Sequence, residues 1–246
     1  MKYLVANWKM YAGVNASIDL AAAYRELSVP VGITAIVAPT TLAAAGVQQK
    51  LANSAWKLAA QNVSSANEGA YTGEISAAML REIGAEYVLV GHSERRHLFG
   101  ESNTEVAKKM SAAWQNGVTP ILCVGETAED LAANKRQYRL KKQLQVLVDA
   151  PVNAPLIVAY EPVWAISGSG NGAPCLPVDV QDVHGFIKTE LATLGLVEVP
   201  LLYGGSVKAD TVTSYVTLAD VDGVLVGSAS LRMADTETFL KVLGSL

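Results

Sequence analysis

Three side chains of complementary chemistry stand just past short apolar runs: Lys9 in "ANWKM", His92 in "VGHSERR" and Glu161 in "AYEPVW". An amine, an imidazole and a carboxylate can serve as a fixed cation, an electrophile and a base. With an anion site added, that set suffices to remove a proton next to a carbonyl. Two turns supply such a site: "YGGSV" carries Gly204, Gly205 and Ser206, and "LVGSASL" carries Gly227 and Ser228. Taken singly, each residue has a plainer reading: a solvated amine, a hydrogen-bonded structural histidine, a rim ion-pair partner, a turn. Their common placement, each at the end of an apolar run, points to chemistry. Asn7 is the weakest member, a turn residue or a hydrogen bond steadying Lys9.

Eight runs rich in Val, Ile, Leu and Tyr recur along the chain: KYLVAN, ITAIVAP, WKLAAQN, YVLVGH, TPILCVGE, PLIVAYE, PLLYGGS and DGVLVGS. They lack clean polar alternation, which suits strands buried on both faces of a parallel sheet. Amphipathic stretches fill the gaps. The clearest is SNTEVAKKMSAAWQNG, with Ser102 as N-cap, Glu105 completing a capping box and Gly117 as stop. Eight strand–helix alternations without a linker predict an α/β chain folded as one (β/α)₈ barrel over residues 1–246, in preference to a doubly wound open sheet. In either fold the carboxyl ends of the strands carry the chemistry, and Asn7, Lys9, His92, Glu94, Glu161, Ser206, Gly227 and Ser228 all fall there.

The composition sets outer bounds. Half of the 246 residues are hydrophobic and 17% are charged, an ordinary globular balance. A net charge of −4 and the lack of a Lys/Arg run argue against a nucleic-acid partner. Cys123 and Cys175 make neither a disulfide framework nor a metal site, and Cys123 within PILCVGE is expected to be a buried strand thiol. No apolar run reaches the roughly 20 residues of a bilayer crossing, and MKYLVANWKM does not resemble a signal peptide; no membrane partner and a cytoplasmic setting are expected. The segment GSGNGA lacks both GxGxxG spacing and a GK[ST] ending, so no nucleotide cofactor is expected there.

ANWKM, GAYTGEIS, YVLVGHSERR, ILCVGE, AYEPVWAI and LYGGSV occur in the order and at the approximate spacing of the triosephosphate isomerases, and the chain resembles that family over essentially its whole length. The resemblance implies a TIM barrel that interconverts dihydroxyacetone phosphate and D-glyceraldehyde 3-phosphate in glycolysis and gluconeogenesis, with no metal or organic cofactor. It implies Glu161 as the base and His92 as the electrophile, kept neutral by a helical turn starting near Ser93. Lys9 is the fixed positive charge, Asn7 lies beside it, and Glu94 hydrogen-bonds within the same polar cluster. Phosphate would be held by backbone N–H groups at Ser206, Gly227 and Ser228 and by lid residues Gly168 and Gly170. Pro162 and Trp164 resemble the lid's first hinge. The stretch QNVSSANEGAYTGEIS resembles a third loop whose tip, Thr72, enters a neighbouring subunit of a homodimer, with Glu74 and Arg95 pairing at or near the interface.

Two departures stand out. The lid, residues 167–177, is longer than usual, lacks a lysine at its second hinge, and carries Pro174 and Pro177 at its exit. Ser228 occupies a position where the family has glycine, so its Cβ crowds the phosphate if the backbone needs φ > 0, or its hydroxyl adds a hydrogen bond. Both predict an active isomerase with a poorer Michaelis constant or rate than is common in the family. The alternative is a catalytically impaired or silent barrel that binds phosphorylated small ligands.

Overall fold

The computed structural model describes residues 1–151, 153–166 and 174–246. Its eight parallel strands are β1 (Lys2–Asn7), β2 (Ile33–Ala38), β3 (Trp56–Ala60), β4 (Tyr87–Val90), β5 (Thr119–Val124), β6 (Ile157–Tyr160), β7 (Leu201–Tyr203) and β8 (Gly223–Val226). They pair in chain order, and β1 also pairs with β8, so the sheet closes. Outside it lie α1 (Val14–Arg25), α2 (Thr41–Leu51), α3 (Ala77–Glu82), α4 (Ser93–Leu98), α5 (Asn103–Gln115), α6 (Ala128–Ala132), α7 (Arg136–Leu144), α8 (Pro177–Thr193), α9 (Val212–Val216) and α10 (Met233–Gly244). This is the (β/α)₈ barrel that the eight apolar runs predict.

Closure divides the apolar residues into two separate clusters, because successive strand side chains point to opposite faces. Val5, Ile36, Leu89, Ile121, Ala159 and Leu225 belong to a small cluster on the barrel axis. Leu4, Ala6, Leu122, Val124, Val158 and Val226 belong to the large outer cluster, packed with the helices. The two-residue period carries the inward row upward: Asn7 follows Val5, and Glu161 follows Ile157 and Ala159. Polar groups at those two positions therefore aim at the axis where the apolar filling ends.

Local chemistry fixes the helix ends. Ser102 accepts from the Glu105 N–H at 3.2 Å while the Glu105 carboxylate accepts from the Ser102 N–H at 2.8 Å, which is the predicted capping box. Gly117 follows with φ +67°, where only glycine is unstrained. A second box, Thr127 with Asp130, opens α6, which the apolar pattern alone did not announce. The helix expected over ADTVTSYVTL contracts to α9, and α7 begins four residues ahead of the expected LKKQLQVLV, at Arg136. Pro177, assigned to the lid exit from sequence, is instead the first residue of α8, where its missing N–H and fixed φ suit a helix start.

The helix α8 also buries His184 completely. The ring stands edge-on to Tyr160, with centroids 5.9 Å apart, and its Nδ1 donates to the Asp220 carbonyl at 2.9 Å. Burial lowers its pKa from 6.5 to about 4. The unfolded chain therefore binds a proton that the folded chain refuses, so stability holds above pH 6.5 and falls as the pH drops toward 4. The gap from 6.5 to about 4 is worth about 3 kcal/mol. Denaturant unfolding at pH 7 and pH 4.5 is expected to show most of this loss. His184→Asn, which keeps a donor toward Asp220, should lower stability at pH 7 but flatten that slope.

Candidate active site

The strand ends bring Lys9, His92, Glu161, Gly204, Gly205, Ser206, Gly227 and Ser228 around one cavity of about 160 Å³. Asn7 ends β1 and is buried. Its Oδ1 accepts the Lys9 N–H at 3.0 Å. Lys9 itself has φ +49°, a left-handed conformation that costs a non-glycine residue about 1–2 kcal/mol. The surroundings hold it there, because Gln61 at the end of β3 donates to both the Lys9 carbonyl, at 2.9 Å, and the Ala38 carbonyl, at 2.8 Å. The Lys9 ammonium then reaches Glu94 Oε1 at 2.6 Å. The polar cluster expected for Lys9, Asn7 and Glu94 is present. Gln61 is a supporting residue that the sequence reading missed, although its place directly after β3 satisfies the strand-end rule.

His92 caps α4. Its Nδ1 accepts the Glu94 N–H at 3.2 Å, and its Nε2 lies 3.0 Å from Glu161 Oε1. These two bonds assign the proton of a neutral ring to Nε2, which donates to the carboxylate; the Asn7 amide nitrogen, 3.3 Å from Nε2, is then a neighbour. The start of α4 near Ser93 is where the sequence placed it. Burial is the largest influence on the ring and lowers its pKa; the charge and hydrogen bond of Glu161 outweigh it, and the net direction is upward. The N–H aimed at Nδ1 opposes that pull without overcoming it, so the lowering expected from the start of α4 does not set the net direction here.

Glu161 is 1% exposed. Burial alone would raise its pKa. The charge and hydrogen bond of His92, the Ser93 N–H donated to Oε2 at 3.0 Å and the charge of Lys9 outweigh burial and hold the carboxyl below the usual range. A buried carboxylate ionised in this way is a base ready for use. Its backbone is fixed as well: the Glu161 N–H donates to Val124 at 2.7 Å, and its carbonyl lies so close to Gly125 that any Cβ there would overlap it. Gln143 brackets Gly125 with bonds to its N–H and carbonyl, at 2.7 and 3.0 Å.

Beyond Glu161, Pro162 leads into a 3₁₀ turn, Val163–Ala165. Trp164 donates to Glu126 Oε1 at 2.9 Å, and Tyr160 donates to the same oxygen at 3.0 Å. Glu126 is wholly buried and also faces Arg136 at 3.2 Å; burial pushes its carboxyl up. Sequence reading placed Trp164 at the hinge but did not find Glu126, the group that anchors it. The Ser206 hydroxyl donates to the Ala165 carbonyl at 2.6 Å, joining the turn after β7 to the hinge.

At the end of β8, Gly227 lies against the Lys9 side chain: a Cβ added there would come within 3.3 Å of Lys9 Cε. Ser228 opens a 3₁₀ turn, Ser228–Leu231. Among the described non-glycine residues, positive φ occurs at Lys9, Asn53, Asn134 and Asn153 and not at Ser228. The expected route to crowding through a left-handed backbone is therefore closed, and the side chain lines the cavity. Lid residues Gly168 and Gly170 lie outside the described residues. Thr72 is exposed on the loop before α3, away from this cavity; Arg95, expected near Glu74, bonds Glu101 within the chain at 3.2 Å.

The triosephosphate isomerase family model matches residues 2–244. The chain is similar to a triosephosphate isomerase of Delftia acidovorans, 44% identical over 245 residues that cover 97% of each chain. It is 42% identical over 249 residues to one from Chlamydia muridarum, covering 98% of this chain and 90% of the relative. A third, from Magnetococcus marinus, is 40% identical over 259 residues, covering 99% and 97%. A buried carboxylate, a histidine at a helix start and a lysine held by its strand end thus sit in a chain that, along its length, belongs to the triosephosphate isomerase family.

Proposed function

We propose that this chain interconverts dihydroxyacetone phosphate and D-glyceraldehyde 3-phosphate through an enediolate, with Glu161 as base, His92 as electrophile and Lys9 as fixed charge. The observation that carries this assignment is the buried Glu161 within hydrogen-bond distance of His92 Nε2, in a cavity that Lys9 also lines. The Glu161 carboxylate takes a proton from the carbon beside the substrate carbonyl; the C–H electron pair forms the enediolate C=C bond and the carbonyl π pair moves onto its oxygen. His92 Nε2–H, now directed at Glu161, turns to the substrate oxygens, donates its proton to the former carbonyl oxygen and regains one from the neighbouring hydroxyl oxygen, which becomes the new carbonyl. The Lys9 ammonium stabilises the developing oxyanion. Glu161 then returns the proton to the neighbouring carbon, so the redox change stays within the substrate and needs no metal or organic cofactor. Backbone N–H groups at Ser206, Gly227 and Ser228 bind the phosphate, joined by the lid at Gly168 and Gly170. Lid closure about Pro162 and Trp164 excludes water and keeps the enediolate from losing phosphate.

The same reading places the reaction in glycolysis and gluconeogenesis. It makes the protein a cytoplasmic homodimer through Thr72 and the third loop. No helix of the described residues is long and apolar enough to cross a membrane. Sedimentation of the purified chain at micromolar concentration should give the mass of two chains, and Thr72→Arg should lower it toward one.

The deciding experiment follows D-glyceraldehyde 3-phosphate isomerisation with methylglyoxal quantified in parallel. Fast turnover with little methylglyoxal supports both the catalytic assignment and a competent lid. Slow turnover with abundant methylglyoxal assigns a working base beneath a leaky lid. Turnover no greater than that of Glu161→Gln would move the protein to the class of barrels that only bind phosphorylated ligands.

A further inference from the structure

Beneath the carboxylate lies a cation that the chemistry above does not use. Arg96 of α4 turns its guanidinium inward and donates from Nε to the Gly91 carbonyl at 2.6 Å, from Nη1 to Asn103 Oδ1 at 2.7 Å and from Nη2 to the Cys123 carbonyl at 3.3 Å. All three acceptors are neutral, and among the described residues Arg96 forms no ion pair. The three bonds join the turn that follows β4, the first residue of α5 and the end of β5. A planar fork of donors can hold three separate segments at once, which a point-like ammonium cannot. Gly91 completes the fit. Its φ is +70°, and a Cβ there would collide with the guanidinium.

Arg96 and Glu161 line one narrow crevice, together with Ser93 and Cys123, that is too tight to admit a water. Their charges therefore act on each other with little screening. We propose that Arg96 is a positioning residue for the isomerisation: it holds the turn bearing His92 and the Ser93 N–H against β5, and its charge supports the ionised form of Glu161 from below. This inference rests on Glu161 being the base. The other groups bearing on Glu161 are His92 and Lys9, which favour its anion, and Cys123, a buried thiol whose pKa burial raises, with Glu161 adding to the rise. Those bearing on Arg96 are Cys123, Glu101 and Arg139 besides Glu161, with burial the largest influence and the net direction downward. His97, next in the chain, has its pKa lowered, first by burial and then by Arg96 and Arg139.

Two substitutions separate the tie from the charge. Arg96→Met removes both. It is expected to lower kcat about tenfold with KM nearly unchanged, and to move the acid limb of the kcat–pH profile upward by about half a pH unit or more. Arg96→Lys keeps the charge and loses the fork, so kcat falls while the acid limb stays. An Arg96→Met enzyme with wild-type kcat, or with reduced kcat and an unmoved acid limb, overturns the proposal. Should Arg96→Met fail to fold, Arg96→Lys decides: a wild-type kcat or a displaced acid limb overturns it. Glu161→Gln, assayed alongside, keeps the two readings apart. A drop of less than about tenfold in that variant defeats the base assignment, whereas a drop on the order of 10⁴-fold beside an unaffected Arg96→Met defeats this inference alone.

Discussion

Glu161→Gln is expected to lower kcat on the order of 10⁴-fold, at the upper end of what a positioned general base contributes, while KM changes little. The amide keeps an acceptor for the Ser93 N–H now donated to Oε2 at 3.0 Å, so the side chain stays in place and the fold is retained. What disappears is the basic electron pair. The loss is large because the carboxylate is ionised and poised by His92, Ser93 and Lys9. Glu161→Asp provides the geometric control: it retains a carboxylate but draws it back by one carbon, and such misplacement costs roughly 10²-fold. Steady-state kinetics beside a thermal melt checks both. A drop of less than tenfold in the glutamine variant, at unchanged melting temperature, would assign the base elsewhere.

Lys9→Met should cost roughly 10²- to 10³-fold in kcat, the scale of removing one preorganised group that stabilises an oxyanion, and should raise KM for the phosphorylated substrate. Unlike the loss at Glu161, this one falls on binding as well as on chemistry, because the ammonium faces the same cavity as the Gly227–Ser228 turn. Backbone strain gives an independent signature. Lys9→Met leaves the left-handed φ of +49° in place, whereas Lys9→Gly relieves it. The glycine variant is expected to be inactive yet about 1 kcal/mol more stable than the methionine variant. Equal stability of the two would mean that the left-handed residue carries no strain.

The barrel was legible because eight apolar runs with helical gaps leave few architectures open, and because Ser102, Glu105 and Gly117 mark the ends of α5 by local chemistry alone. Lys9, His92 and Glu161 were legible as a set through the strand-end rule, and the roles proposed for them rest on family motifs. What stayed hidden depends on residues far apart in the chain. Gly125 must be glycine because the Glu161 carbonyl crosses it, and nothing in ILCVGE announces that crossing. Gln61, Glu126 and Arg96 each look like ordinary polar residues until the fold gives them buried partners. The helix α6 was missed for a different reason: its signal, Thr127 followed by Asp130, is local, but the apolar pattern around it is too short to draw notice. The boundary of the lid was misplaced because Pro177 reads equally as a stiff loop residue and as a first helical residue. Only the position of α8 decides between them.

The split between axis and outer clusters governs how this protein tolerates change. Strand residues such as Leu4, Val158 and Val226 lock the sheet to its helices, and truncating one costs about 1–5 kcal/mol of stability. Those side chains point away from the chemistry, so such losses are expected to spare turnover at temperatures where the barrel stays folded. Val5, Ala159 and Leu225 belong to a much smaller cluster, and Asn7 and Glu161 stand directly above it. Enlarging Ala159 would push against the floor on which the carboxylate rests, harming turnover even if the melting temperature held. Mutational tolerance therefore runs along two nearly independent dimensions, with robustness in the outer shell and reactivity along the axis. A lineage carrying this barrel can drift toward heat or cold by repacking its exterior without retuning its reaction.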